Sequence, residues 1–409
     1  MKRLILMACA TLIALAFSAC DKDKVRPEPN PTPIELTAVG RQLIANSNDF
    51  GIQLFSGVAR EEQEADNLML SPLSASIALT MLLNGCDGDT YEQIHQMLGY
   101  PAGLPLDEVN AAQRSLVAQL LQADNQVDLG IANALFYRLG FEAKPAYLEA
   151  MRREYSARIE GLDFSAPSAL SHINQWASDA TKGRIPEVLD EIHPATVLFL
   201  MNALYFKGEW TEKFDKAHTS PRPFRLGDGS TVEVPTMAGE IKALATYGQG
   251  YAALELPYGR RNFSMVVLVP DQSLAGFYPE FTPEKWRAIT SGLDAQSEWQ
   301  EVQVSLPKFK FEYERLLNND LMALGMTDAF DEGLADLSGI SDAQLFVSRV
   351  KQNTFVEVNE EGTEAAAVTV VDIRETSLNA FAADRPFIFA IRERTTNTLL
   401  FIGAVNDPR

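Results

Sequence analysis

Apolar positions follow a helical spacing early in the chain and a strand spacing late. From Ile34 to Glu62 the residues Leu36, Val39, Leu43, Ile44, Ile52, Phe55 and Val58 recur at roughly helical intervals. In the next stretch, NLMLSPLSASIALTMLLNG, Ser71 is placed to cap a helix, Pro72 suits its first turn and Gly85 fits its stop. Helices are also expected over Pro145–Tyr155, within the segment that buries Trp176, and over Leu316–Leu324. Strands dominate the second half. Leu129–Tyr137 reads as one, and Thr196–Trp210 is a continuous apolar run, the pattern of a strand covered on both faces. Asn202 inside that run is a buried amide that must find partners. Hairpins are expected over Pro221–Met237 and across the turn at Tyr258-Gly259, with another pair of strands in QEVQVSLPKFKFEY. Leu345–Val358, Pro386–Glu393 and Thr398–Val405 complete the set, and no period of 20–50 residues repeats. Helices early and strands late predict an α+β fold with segregated layers.

The stretch from Val356 to Pro386 stands apart. Laid out as a strand from Thr363, it points Thr363, Ala365, Ala367, Thr369, Val371 and Ile373 to one face. Glu364, Ala366, Val368, Val370, Asp372 and Arg374 point to the other. The first face is small or apolar and uncharged until Glu375. Such a segment can enter the middle of a sheet with one face dry and the other wet. Glu360-Glu361-Gly362 supplies a charged entry hinged on glycine, and DIRETSLNAFAADR beyond it has neither strand nor helix period, as in exposed loop.

VNEEGTEAAAVTVV, residues 358–371, resembles the hinge of the serpins, the serine-protease inhibitor family, nearly residue for residue. The resemblance extends from about Glu35 to Pro408. It implies one domain over 35–409, with about nine helices, three β-sheets and an exposed reactive-centre loop near 360–385. It also implies a suicide-substrate inhibitor of serine or cysteine endopeptidases, in which the cleaved loop inserts as a central strand and traps the acyl-enzyme. A non-inhibitory binding lipoprotein on the same fold is the alternative. The resemblance makes Glu360, Glu361, Gly362, Thr363, Glu364, Ala365, Ala366, Ala367 and Thr369 the hinge. It places Ser71, Ser74, Asn202, Trp210, Lys308 and Gln352 where the sheet must part, with Lys308 expected to pair with Glu360. Gln352 stands where many serpins carry a histidine, so a pH-sensitive element is lost there. Hinge length puts the scissile bond at Thr376-Ser377, with Glu375-Thr376 and Arg374-Glu375 as the neighbouring registers. Arg374 suits a trypsin-like protease and Thr376 an elastase- or subtilisin-like one.

Composition narrows the partners. The 409 residues carry a formal net charge of −20 with no Lys/Arg cluster, which argues against nucleic acid; the expected state is a monomer without cofactor or metal. Met1-Lys2-Arg3, the apolar run Leu4–Phe17 and the small residues before Cys20 form a targeting segment over 1–19. It resembles a bacterial lipoprotein signal, in which Cys20 is lipidated and anchors the chain to the outer membrane, facing periplasm or exterior. Residues 20–34 form a charged tether with four prolines. Cys86 is then the one thiol left, so no disulfide framework is available. Catalytic motifs of the G-x-S-x-G, H-E-x-x-H, Walker and C-x-x-C types are absent, and His95, His172, His193 and His218 lack ligand spacing. The expectation is an inhibitor and not an enzyme.

Overall fold

The computed structural model describes residues 30–62, 67–363 and 380–409. Its helical layer comes first: α1 (Ala38–Glu62), then strand β1 (Leu68–Leu70) and α2 (Pro72–Leu83). Ser71 accepts the Ser74 amide at the start of α2 and Pro72 occupies the first turn, as the sequence predicts. Every residue of α2 but Ala78 is buried, because the helix lies between the two main sheets. Next come α3 (Gly88–Met97), α4 (Leu106–Leu120), β2 (Val127–Arg138), α5 (Pro145–Tyr155), β3 (Arg158–Leu162) and α6 (Pro167–Ala180). The strand-rich half contains β4 (Leu198–Glu209), β5 (Ser220–Arg225), β6 (Thr231–Gly248), β7 (Tyr251–Pro257) and β8 (Phe263–Pro270). Two helices interrupt it, α7 (Leu274–Phe277) and α8 (Pro283–Asp294). After them lie β9 (Gln300–Pro307), β10 (Phe309–Leu316), α9 (Asn318–Ala323), β11 (Lys351–Asn359), β12 (Gly362–Thr363), β13 (Ala380–Ala382), β14 (Phe387–Glu393) and β15 (Thr398–Val405).

The described residues thus form nine α-helices and three sheets. One sheet is six-stranded, in the order β10-β11-β12-β4-β2-β3. A second runs β1-β15-β14-β8-β7 and joins β6, an eighteen-residue strand that bends on through a smaller third sheet with β5, β9 and β13. The main core lies between the sheets and under α1, and a separate cluster of Phe136, Phe164, Ile173, Trp176 and Leu189 seats α6 on the outer face of the six-stranded sheet.

Three strands add detail to the sequence reading. QEVQVSLPKFKFEY does form two strands, but β9 joins the third sheet and β10 the six-stranded one, so the chain forks at Lys308. The Lys308 amide donates to the Pro235 carbonyl (2.9 Å), and that bond holds the fork. The strand expected from Leu345 begins only at Lys351. The apolar run Leu198–Asn202 is only half-buried although both faces are covered, Leu198 and Leu200 by the main core and Phe199 and Met201 by the α6 cluster, because β4 before Gly208 has β2 beside it on one edge and no described strand on the other.

One buried charge network ties the second sheet together. Arg392 lies between Glu255 (2.9 and 3.0 Å) and Asp294 (2.6 Å), and both Arg392 and Glu255 are fully buried. Burial alone would raise the Glu255 pKa, but Arg392, Arg394 and the Ser264 hydroxyl outweigh it and hold the carboxyl below its usual range. Arg392→Ala leaves Glu255 buried with half its compensation gone. The expected loss is about 3–5 kcal/mol of stability, read as a lower urea midpoint with an unchanged slope.

Candidate functional site

The mouth of the six-stranded sheet is built where β11 ends and the chain turns back. Along β11, Gln352, Thr354, Val356 and Val358 face the core, so its register is fixed by burial. After Asn359 the chain reverses through Glu360 and Glu361, and the Asn359 side chain accepts the Glu361 amide (3.0 Å). Gly362 then has a φ of 143°, a conformation that L side chains rarely adopt, and a Cβ there would come 2.2 Å from the Gly208 carbonyl oxygen. Only glycine fits. Gly362 and Thr363 lie as β12 between β11 and β4, antiparallel to both; Thr363 faces Val358 on one side and Gly208 on the other. Among the described residues, β4 before Gly208 and β11 before Val358 have no strand partner on their facing edges. A narrow cavity of about 20 Å3 lies there, lined by Leu204, Phe206, Phe355, Val356 and Thr363.

Charge holds this turn shut. Glu360, 4% exposed, accepts from Lys308 Nζ (2.9 Å) and from the Thr219 hydroxyl (2.8 Å). Glu361, 1% exposed, pairs with Lys213 (2.9 Å) and Lys216 (3.1 Å). Desolvation opposes ionisation of Glu360. Its own backbone amide, Lys308 and Thr219 more than offset that cost and hold the carboxyl below the ordinary carboxylate value. Lys213, hydrogen-bonded to Glu209 and Glu361, is pushed above the ordinary lysine value. Backbone bonds reinforce the ion pairs: Phe214 N–H donates to the Glu360 carbonyl (2.9 Å) and Trp210 N–H to the Glu361 carbonyl (2.8 Å).

Aromatic rings make the inner wall. Trp210 stacks on Tyr258 at 4.4 Å and 9°, and its indole N–H donates to the Asn359 carbonyl (2.9 Å). The Tyr258 hydroxyl lies 2.8 Å from the Thr363 hydroxyl, and both residues are buried. Deeper in the molecule, Ser71 N–H donates to Gln352 Oε1 (2.9 Å) and Gln352 Nε2 returns a bond to the Ser71 carbonyl (3.0 Å). The Ser71 hydroxyl donates to the Leu400 carbonyl (2.8 Å), which fastens the foot of α2 to the second sheet. Ser74 is buried one turn along.

The structure therefore brings Glu360, Glu361, Gly362, Thr363, Trp210 and Lys308 together, and it joins Gln352 to Ser71. It does not add Asn202 to that group. Asn202 donates to Asn133 (2.7 Å), which donates to the Tyr155 carbonyl (2.8 Å), and Asn202 Oδ1 is buried with no partner among the described residues. The reason is topological, since Asn202 pairs across β2 while Ser71 lies beneath β11. Glu364, Ala365, Ala366, Ala367 and Thr369, the scissile candidates Arg374, Glu375, Thr376 and Ser377, and Cys20 lie outside the described residues. Sequence reasoning missed Tyr258, Lys213, Lys216, Thr219 and Asn359, which no local pattern marks as a group. Cys86 is a free thiol bonded to the Leu82 carbonyl (3.3 Å), and burial pushes its pKa up, away from nucleophile chemistry. Among the described residues no group of His, Cys, Asp and Glu is placed to hold a metal ion.

Comparison with known proteins agrees with this architecture. A family model described as "Serpin (serine protease inhibitor)" matches residues 45–408. Serpin B6 of Macaca fascicularis is 35% identical over 378 residues, covering 90% of this chain and all of the relative. The leukocyte elastase inhibitor of Homo sapiens is 36% identical over 383 residues, with the same coverage of both chains. The thermophilic serpin tengpin in its native state superposes with a TM-score of 0.82 at 32% identity, covering 92% of this chain and 97% of that one. A glycine-hinged strand start held between two separated strands, on a chain matched along nearly its whole length, makes this protein a member of the serpin family.

Proposed function

We propose that this serpin inhibits serine endopeptidases by offering its loop as substrate and then inserting it. The observation that carries this reading is β12: Gly362 and Thr363 already lie between β11 and β4, at the head of two edges without a described partner. Their register assigns neighbours to the rest of the loop. Each further residue would meet the preceding residue of both strands. Ala365 would lie between Phe206 and Val356, Ala367 between Leu204 and Thr354, and Thr369 between Asn202 and Gln352. Those neighbours on β11 are buried, so the inward face demands small, uncharged side chains, and the loop supplies them.

Magnitudes explain why that face decides the outcome. Each new backbone hydrogen bond contributes about 0.5–1.5 kcal/mol net, while ordering each residue costs about 1–2 kcal/mol. These nearly cancel. Burial of the inward residues settles the sign, and one unpaired charge there costs several kcal/mol. Once a protease serine has attacked the scissile carbonyl, taken the acyl group as an ester and released the amine of the far segment, insertion carries the acylated protease along the sheet before water resolves the ester, and the protease's oxyanion hole is distorted. The uncleaved form is then a kinetic trap above a more stable inserted state. Arg374, Glu375 and Thr376 offer alternative scissile positions to trypsin-, glutamate- and elastase- or subtilisin-like enzymes. Lipidation of Cys20 would anchor the monomer to an outer membrane through the tether. Support for an ordered tether end comes from Thr32, whose amide and carbonyl both bond the Asn262 side chain (2.8 and 2.7 Å).

Mixing the chain with trypsin, elastase and subtilisin is expected to give complexes that survive SDS, and Thr363→Arg is expected to be cleaved without trapping. If the parent chain gives no complex with any of the three, it is a binding protein on this fold. If Thr363→Arg traps as well as the parent, the insertion argument is wrong.

Acid should open the mouth. The Glu360 pKa is depressed, so its clasp is complete above about pH 5 and is lost as pH falls through the native value. Spontaneous loss of inhibitory activity is expected to accelerate on that acid limb. Glu360→Gln should already be fast at neutral pH and should lack the limb.

Palmitate labelling in a bacterial host tests the anchor. Incorporation is expected for the parent chain and none for Cys20→Ser.

A further inference from the structure

We infer that Tyr258 is a positioning residue for insertion: its hydroxyl holds Thr363 and so selects the register in which the loop enters the sheet. The inference rests on the inhibitory reading above and deepens it.

The alternation of the loop excludes only half of the wrong registers. A slip by one residue would turn Glu364 inward, which burial forbids. A slip by two keeps small residues inward, with Ala365 where Thr363 now lies, but it sets Glu364 at the place of Gly362, where a Cβ would meet the Gly208 carbonyl oxygen. A second device at the neighbouring place adds to that rejection. The Tyr258–Thr363 hydroxyl pair has the needed property, because alanine at that place would leave a buried phenol oxygen without a partner.

The ring that carries this hydroxyl is fixed from several sides. Trp210 stacks on one face, and Phe206 meets it edge-on at 5.2 Å. The backbone bridges to Trp210, and the Gly259 amide donates to the Glu209 carbonyl (2.8 Å). The ring fills the space over Gly208, where a Cβ would come 2.9 Å from Tyr258 Cδ1. The hydroxyl therefore stands at one point relative to β4. Burial pushes the phenol pKa up, so it keeps its proton across the physiological range. Gly362, unable to accept a side chain, forces the residue after it to be the one that meets Tyr258.

Tyr258→Phe retains the ring and removes only the oxygen. Two readouts separate positioning from simple support of the fold. The first is stoichiometry: the number of inhibitor molecules cleaved per protease trapped should rise several-fold, while the rate of acylation moves far less. Thr363→Val should do the same, and the double variant should be no worse than either single one. The second needs no protease. Amide exchange over residues 359–363 should speed up in Tyr258→Phe while the rest of the body exchanges as in the parent. An unchanged stoichiometry, effects that multiply in the double variant, or unchanged exchange at 359–363 would each overturn the assignment. A parent chain that traps no protease would defeat the inhibitory reading alone, and the exchange measurement would still decide whether Tyr258 holds Thr363.

Discussion

Backbone groups inside a sheet must be paired, and this molecule holds two strand edges apart with only a two-residue strand described between them. That single constraint organises the rest. The two lysine clasps on Glu360 and Glu361 keep the turn above the gap from moving, and the Trp210–Tyr258 stack keeps its inner wall rigid. The bond between Ser71 and Gln352 anchors the foot of β11 to the helix beneath. Each of these is a short-range polar or aromatic contact at the edge of a large apolar core, so the core supplies stability and the edge supplies the control.

The clasps balance opposing electrostatic costs. Glu360 and Glu361 are adjacent like charges, both buried, which on their own would repel and be costly to desolvate. They are tolerable because Lys308 approaches one from the fork between two sheets, while Lys213 and Lys216 approach the other from the segment after β4. The charged head of the hinge is thus bonded to both flanks of the opening. An acid pair without these lysines would expel the turn into water.

Much of this was legible in the sequence, and the parts that were not have identifiable causes. Ser71-Pro72 marked the start of α2 because capping chemistry is local, and Thr398–Val405 marked its strand to the residue because a buried strand must be apolar throughout. The family resemblance brought Lys308 to Glu360, a contact between residues 52 apart that no local pattern contains. Asn202 was legible as a buried amide but not in its partner, since Asn133 is selected by strand register across β2 and β4. The fork at Lys308 leaves no local trace, because two alternating runs separated by one residue read the same whether they share a sheet or part into two. α3 and α4 were hidden because their apolar stripes are interrupted by polar residues that only tertiary contacts bury, such as Thr90, Asn110 and Gln113. Tyr258 stood out only as one aromatic in a turn; its role depends on a neighbour, Thr363, that arrives from the far end of the chain.

The fork has one more effect. Residues 380–382 pair with β9 at Gln303–Ser305, so the far side of the loop hangs from the same stretch of backbone that, at Lys308, grips the near side. Beyond that point the polypeptide continues into β14 and β15, two strands woven through the centre of the second sheet. Severing the loop therefore parts the backbone without parting the particle. The far segment stays knitted into the interior, so the nicked molecule would persist as two polypeptides sharing one core until a denaturant separates them.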